Sequence, residues 1–285
     1  MLRMTSGALL AAGVWPGALE AAESQPPRYA AFDFLVVNDL HHMSPECTAW
    51  LRGVARQLRG HRSARLCLVL GDLTDTGSIG SMEAVRGVLR SLPMPVHVQI
   101  GNHDYASATD RAAYTATFPG RLNYSFVHRG WQFVGLDSTE GQKYTGTLIQ
   151  EDTFAWVHQN LRRLRPEHPT VLFTHFPMGE GVQYRPRNAD ALLDLFRRYN
   201  LRAVFSGHYH ALTERQGPGG LAFTTNRCCS LKRENHDGSR EKGYFLCRAT
   251  ADGTVSHEFI ETPVGEHAAG KRRRGAEQGV GSVLV

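Results

Sequence analysis

Ten residues with side chains of metal-binding type, seven of them candidate ligands, follow five short apolar runs. The run FDFLVV (32–37) is followed by NDLHH, which supplies Asp39 and His41. LCLVL (66–70) is followed by GDLTDTG, with Asp72 and Asp75, and VHVQI (96–100) by GNHDY, with Asn102, His103 and Asp104. VLF (171–173) leads to His175 in THFP, and AVF (203–205) leads to His208 and His210 in SGHYH. A core strand has little use for two imidazoles one residue apart; a metal site does. Carboxylate oxygen, imidazole nitrogen and amide oxygen together suit borderline divalent cations such as Mn, Fe, Zn or Co. No thiolate stands among them, which argues against a closed structural zinc site. Seven donors exceed the needs of one ion. Two ions sharing a carboxylate would use them all, and a pair about 3.5–4 Å apart suits phosphoryl transfer.

Such residues act together only if the elements before them end on one edge. The five apolar runs read as strands, with helix-like segments among them. Pro45 to Leu58 follows Ser44, a good N-cap with Pro in the first turn. Ser81 to Leu92 is amphipathic. Asp152 to Leu164 and Ala189 to Tyr199 place apolar residues at helical spacing. Strand alternating with helix argues an α/β fold, and in such sheets ligands bind where the carboxyl ends of strands converge. Glycine in three of the turns (GD, GN and GH) permits a sharp bend. Two stretches depart from this rhythm. NYSFVHRGWQFVGLD (123–137) predicts a hairpin turning at Arg129-Gly130. From Ala211 onward ALTERQ, LAFTTN, YFLCRA and TVSHEFIE read as an antiparallel series, so a parallel-type half is expected to join a more antiparallel half. No internal repeat is evident.

The five blocks D-L-H (39–41), GDLTD (71–75), GNHD (101–104), His175 and GHYH (207–210) occur in order across about 170 residues of the chain. Any one would be a weak motif. As a set they resemble the calcineurin-like metallophosphoesterases, in the form closest to the cyclic-nucleotide and glycerophosphodiester phosphodiesterase branch. The resemblance implies a four-layer αββα sandwich, two mixed sheets flanked by helices. It also implies two divalent metal ions. Asp39, His41 and His210 would hold one, Asn102, His175 and His208 the other, and Asp72 would bridge them. His103 would be the general acid over the leaving-group oxygen, with Asp75 orienting its imidazole. The implied reaction is hydrolysis of a phosphate ester, a diester by preference, through in-line attack of a metal-bridging hydroxide. Such chemistry follows the known effect of paired cations on water and of positioned His on a leaving alkoxide. A phosphomonoesterase on the same site is the nearest alternative. A non-catalytic scaffold on this fold is another, although scaffold relatives lose ligands and every motif ligand here is present.

Around this set, His42 and Asp104 read as supporting neighbours rather than ligands. No substrate-contacting residue is singled out. The loop EGVQYRPRN (180–188), with Arg185 and Arg187, and RCCSLKREN, with Arg227, Lys232 and Arg233, could each hold a phosphate or be ordinary solvated loops. Tyr105 to Asn123 could form a cap. Cys228 and Cys229 read as strand residues facing opposite sides, and Cys67 and Cys247 as core.

The bulk composition sets outer bounds. The chain has 285 residues, 41% hydrophobic and 21% charged, as in ordinary soluble globular proteins. Five cysteines in irregular spacing make neither a disulfide framework nor a zinc knuckle. The formal charge is +5, and the tail 264–285, with Lys271, Arg272, Arg273 and Arg274, carries part of it. A solvated, disordered tail is expected there, and the nucleic-acid signal is weak. Residues 1–27 read as an export signal or disordered N-terminus. One Arg precedes an apolar stretch, Gly7 to Leu19, that is too short to span a bilayer. It resembles the later part of a bacterial twin-arginine signal without the Arg pair, so export to a periplasm is expected, with a cytoplasmic protein as the alternative. The single phosphoesterase domain is expected over 28–263. No transmembrane segment is expected, and the oligomeric state is open.

Overall fold

The structure is a computed structural model, and it describes residues 29–263. The expected export signal and basic tail lie outside the described residues. Among the described residues eleven strands form two sheets. The first has five: β1 (Phe32–Val37), β2 (Ala64–Leu70), β3 (Val96–Gln99), β10 (Gly243–Ala249) and β11 (Val255–Glu261), in the order β11-β10-β1-β2-β3. The second has six: β4 (Tyr124–His128), β5 (Trp131–Gly135), β6 (Thr170–Phe173), β7 (Leu201–Ser206), β8 (Thr213–Gln216) and β9 (Ala222–Thr225), in the order β4-β5-β6-β7-β9-β8. Helices α1 (Pro45–Gly60), α2 (Ile79–Leu89) and α3 (Ala112–Thr117) belong to the first half, α4 (Glu151–Asn160) and α5 (Ala189–Asp194) to the second.

Three buried clusters define the layers. Phe34, Val36, Leu68, Phe133, Phe173 and Phe205 fill the space between the sheets. Trp50, Leu51, Val54, Val69 and Val85 join α1 and α2 to the outer face of the first sheet. Val134, Val157, Leu172 and Leu192 join α4 and α5 to the outer face of the second. Central strands buried on both faces explain why the first apolar runs are continuous rather than alternating. The αββα sandwich is therefore present.

Local chemistry accounts for the ends of the elements. The Ser44 hydroxyl accepts from the Cys47 amide (3.4 Å) and Pro45 opens α1. The β4–β5 hairpin turns at Arg129 and Gly130, both at positive φ, as a tight two-residue turn requires. The segment read as a helix to Tyr199 keeps α-geometry only through Asp194.

The chain does not divide into a parallel half and an antiparallel half. After β7 it forms β9, parallel to β7, and β8, antiparallel to β9. It then crosses to the other sheet, where β10 pairs antiparallel with β1. Strand β1, apolar on both faces, needs a partner on each edge. Its β2 neighbour is parallel, and β10 takes the free edge. The crossing segment, 226–242, passes the carboxyl ends of the strands. Cys228 and Cys229 belong to it and not to a strand. Cys229 packs in the cluster under α1, where its carbonyl accepts from Trp50 Nε1 (2.9 Å). Cys228 lies beside Lys242 Nζ (3.1 Å). In the span after GNHD, Tyr105 and Tyr114 are buried in the same helical-side cluster.

Candidate dinuclear metal centre

β1, β2 and β3 run parallel and side by side, as do β6 and β7 in the facing sheet. Their carboxyl ends meet, and the five motif loops with them. Contacts across the sandwich tie the loops together. His175 Nδ1 donates to the Leu70 carbonyl (2.8 Å), and the His208 amide donates to Asp39 Oδ2 (3.0 Å). Within the first sheet the amide of His41 donates to the Asp72 carbonyl (2.9 Å). Asp39, His41, Asp72, His208 and His210 all take positive φ, 44° to 63°. L-residues avoid that region, and clusters of such outliers mark functional sites. The preceding glycine is needed at Gly207, where a Cβ would stand 2.6 Å from Asp39 Oδ2.

The structure brings six of the seven proposed ligands into two groups sharing Asp72. Asp39, His41, Asp72 and His210 form one; Asp72, His175 and His208 form the other. Asn102 joins the second, its Oδ1 3.2 Å from His175 Nε2. Asp72 turns one oxygen to each group: Oδ2 lies 3.5 Å from His41 Nε2 and Oδ1 3.4 Å from His175 Nε2. His208 and His210, one residue apart, thus stand in different groups. All seven side chains are buried.

Each imidazole is aimed by its second nitrogen. His175 and His210 donate from Nδ1 to the carbonyls of Leu70 and Glu234 (2.8 and 3.0 Å), leaving Nε2 lone pairs inward. His208 is reversed: Nε2 donates to the Tyr144 carbonyl (2.9 Å), leaving Nδ1. His41 Nδ1 faces Asp75 Oδ1 at 3.2 Å. Such outer partners set the tautomer of metal-binding histidines. The test of fit is the pair His41 Nε2 and His210 Nε2, 3.2 Å apart. Two neutral imidazoles so oriented would point lone pairs at each other; a shared divalent cation relieves this, and without one a proton on His210, favoured by Asp39, does so. The donor set therefore fits divalent cations. Without them, the charges compensate one another. Burial raises the Asp39 carboxyl, but the His210 and then the His175 imidazoles bring it below the usual range. Burial alone would pull His175 down; Asp72 and then Asp39 lift it to about 9. Burial, helped by His175, holds His208 at about 3.

Asp75 and His103 stand beside this cluster. His103 Nδ1 donates to the backbone carbonyl of Asp75 (2.9 Å), while the Asp75 carboxylate is 4.0 Å away. The main chain, and not the side chain, makes the short contact. The carboxylate instead faces His41 and receives Nε and Nη2 of Arg233 on Oδ1 (2.8 and 2.6 Å). The His41 imidazole, opposed by burial and joined by Arg233, holds Asp75 at about 2. His41, Asp75 and His103 also lie close enough to one another to hold an ion, but Arg233 already occupies that oxygen.

His42 turns away, to Thr48 Oγ1 (2.7 Å). Asp104 is a clamp between two ligand loops: its oxygens accept from the amides of Thr74 and Gly101 (2.9 Å each). Both basic loops reach the site, 227–235 with its basic residues and 180–188 with Tyr184. Lys232, Arg233, Glu234 and His236 line the cleft with His41, Asp72, His103, His208 and His210, in a volume of about 590 Å³. Arg185 instead pairs with Asp190 (2.5 Å). Tyr144 and Tyr184 complete the lining. Neither tyrosine belongs to a motif, and only the tertiary fold brings them here.

A family model described as calcineurin-like phosphoesterase matches residues 32–212. A 3′,5′-cyclic-nucleotide phosphodiesterase of Nostoc sp. is 31% identical over 208 residues, 70% of this chain and 77% of the relative. A 3′,5′-cyclic adenosine monophosphate phosphodiesterase of Pseudomonas aeruginosa is 29% identical over 212 residues, 71% of this chain and 76% of the relative. Among solved structures, a dimetal phosphatase from Danio rerio superposes with a TM-score of 0.57 at 15% identity, over 76% of this chain and 92% of that one; this likeness concerns the fold. With motif set, paired ligand groups and sandwich in agreement, the chain belongs to the calcineurin-like phosphoesterases, hydrolases of phosphate esters that depend on two metal ions.

Proposed function

We propose that this protein is a phosphodiesterase whose site is formed by Asp39, His41 and His210 on one metal, Asn102, His175 and His208 on the other, and Asp72 between them. One observation carries the reading: the two Asp72 oxygens face two separate groups of inward imidazole lone pairs. The relatives named as cyclic-nucleotide phosphodiesterases and glycerophosphodiester phosphodiesterases support a diester over a monoester. Mn, Fe, Zn or Co fits the nitrogen and oxygen donors. Two such cations, when bound, supply Lewis acidity that activates water near neutral pH and neutralises phosphoryl oxygens.

The chain's own residues do the rest. Arg233, paired with Asp75, and Lys232, paired with Glu46 (2.7 Å), line the cleft, where a phosphoryl group spreads negative charge in its transition state. Asp75 keeps Arg233 and His41 in register. His103 Nε2 is free to deliver a proton, because Nδ1 is committed to the Asp75 carbonyl. A protonated His103 meets the need of a leaving alkoxide. Its 31% side-chain exposure leaves it open to reload from solvent.

The test compares bis(p-nitrophenyl) phosphate with p-nitrophenyl phosphate on protein reconstituted with Mn, beside a chelated control. Chelator-sensitive preference for the diester is expected. A monoester preference would make the protein a phosphatase on the same centre, and no turnover with both metals bound would favour a scaffold.

A further inference from the structure

Two tyrosines line the cleft without serving the metals or the core. Neither Tyr144 nor Tyr184 lies in any of the three buried clusters. The Tyr144 ring is 62% exposed, while its carbonyl is fixed by His208 Nε2 (2.9 Å). Tyr184 meets the same imidazole edge-on, with ring centroids 5.0 Å apart at 82°. It is further braced by Tyr209 and His236, each at 5.9 Å. The Tyr184 backbone sits at φ 67°, a conformation that bulky L-residues avoid. One metal-group histidine therefore anchors both tyrosines beside the reacting centre. One does so with an exposed ring and the other with a strained backbone.

Phosphate recognition does not explain them. Arg233 and the bound cations would serve a phosphoryl group, and an aromatic ring adds nothing to a bare anion. Volume points the same way. About 590 Å³ lies in the range of small-molecule sites and far exceeds a phosphate with a short alkyl arm. Two rings can hold a planar aromatic group by stacking on its faces.

Building on the phosphodiesterase reading, we propose that Tyr144 and Tyr184 are specificity-determining residues that stack on the nucleobase of a nucleotide diester. They select base-bearing diesters over alkyl diesters such as those of glycerol.

The experiment uses the full chain reconstituted with Mn, as wild type and as Tyr144→Ala, Tyr184→Ala, Tyr144→Phe and Tyr184→Phe. Two quantities are read. One is the ratio of kcat/KM for 3′,5′-cyclic AMP to that for glycerophosphocholine. The other is the ratio of Kd for inorganic phosphate to that for AMP, by calorimetry. Each Ala variant is expected to lower both ratios about 10-fold, chiefly through KM and AMP affinity. Each Phe variant, which keeps a stacking face, is expected to stay within about twofold. Equal losses on both diesters, Phe variants as poor as Ala, or a wild type that prefers glycerophosphocholine would overturn the assignment. If no diester is turned over, the phosphodiesterase reading fails by itself, and the binding ratio still decides on the tyrosines. AMP bound no better than phosphate, or equally well after Tyr→Ala, would overturn their role.

Discussion

At the scale of single residues, charge is arranged so that the protein must exchange protons for metal. In the metal-free site Asp72 and Asp39 hold His175 at about 9, and Asp39 holds His210 well above its usual value against burial. His208, at about 3, is already neutral. Imidazole must be neutral to ligate. Mn binding at pH 7.5 is therefore expected to release protons from His175 and His210 and none from His208. Calorimetry in two buffers of different ionisation enthalpy measures the number. Affinity should rise with pH up to about 9 and then level. For the metal-free fold the sign is opposite. A raised imidazole pKa stabilises fully below about 6.5, the ordinary value, and that stability fades as pH climbs through 9. A metal titration that released no protons at pH 7.5 would show that the two imidazoles are not paired to the carboxylates as described.

Elements contribute by bringing loops from two sheets within reach of each other. The loops after β1 and β2 run side by side through main-chain hydrogen bonds, and the loop after β3 is tied to them by Asp104, which accepts from Thr74 and Gly101. Asp104→Ala would orphan two buried amides, at about 1–3 kcal/mol each. A fall of that order in unfolding free energy is expected in denaturant titrations, together with weaker Mn binding, since Asp72 and Asn102 sit on the loops so joined. Unchanged stability would mean that water replaces the carboxylate. The strands of this region were legible as apolar runs, and Asp104 was legible as a neighbour of the ligands. Its role as a clamp was not, because a hydrogen bond between residues 74 and 104 depends on β2 and β3 being adjacent and in register.

For the molecule as a whole, the proposed ligands come from both sheets, so bound metals would act as a bolt across the sandwich. Anything that binds only the folded state stabilises it by RT ln(1 + [L]/Kd). The melting temperature is expected to rise with Mn concentration, by the equivalent of about 2.7 kcal/mol per site at 100 times Kd, and to fall with a chelator. Differential scanning calorimetry reads both. A melting temperature indifferent to metal would mean that the two groups do not close on ions. No helix among the described residues is long and apolar enough to cross a membrane.

The sequence by itself determined the donor inventory and its order. Five blocks at five strand ends were visible because each rests on local features: an apolar run, a ligating side chain and, in three of them, a turn glycine. The β4–β5 hairpin and α1 were legible for the same reason. Only the tertiary structure decided what depends on distant parts of the chain meeting. It set β10 against β1 and so split the C-terminal strands between two sheets. That crossing carries Arg233 to Asp75, 158 positions away in the chain, while Arg185 turns to Asp190. It also brings Tyr144 and Tyr184 to one histidine. Periodicity and motif spacing record neighbours along the chain, whereas these contacts follow from sheet order.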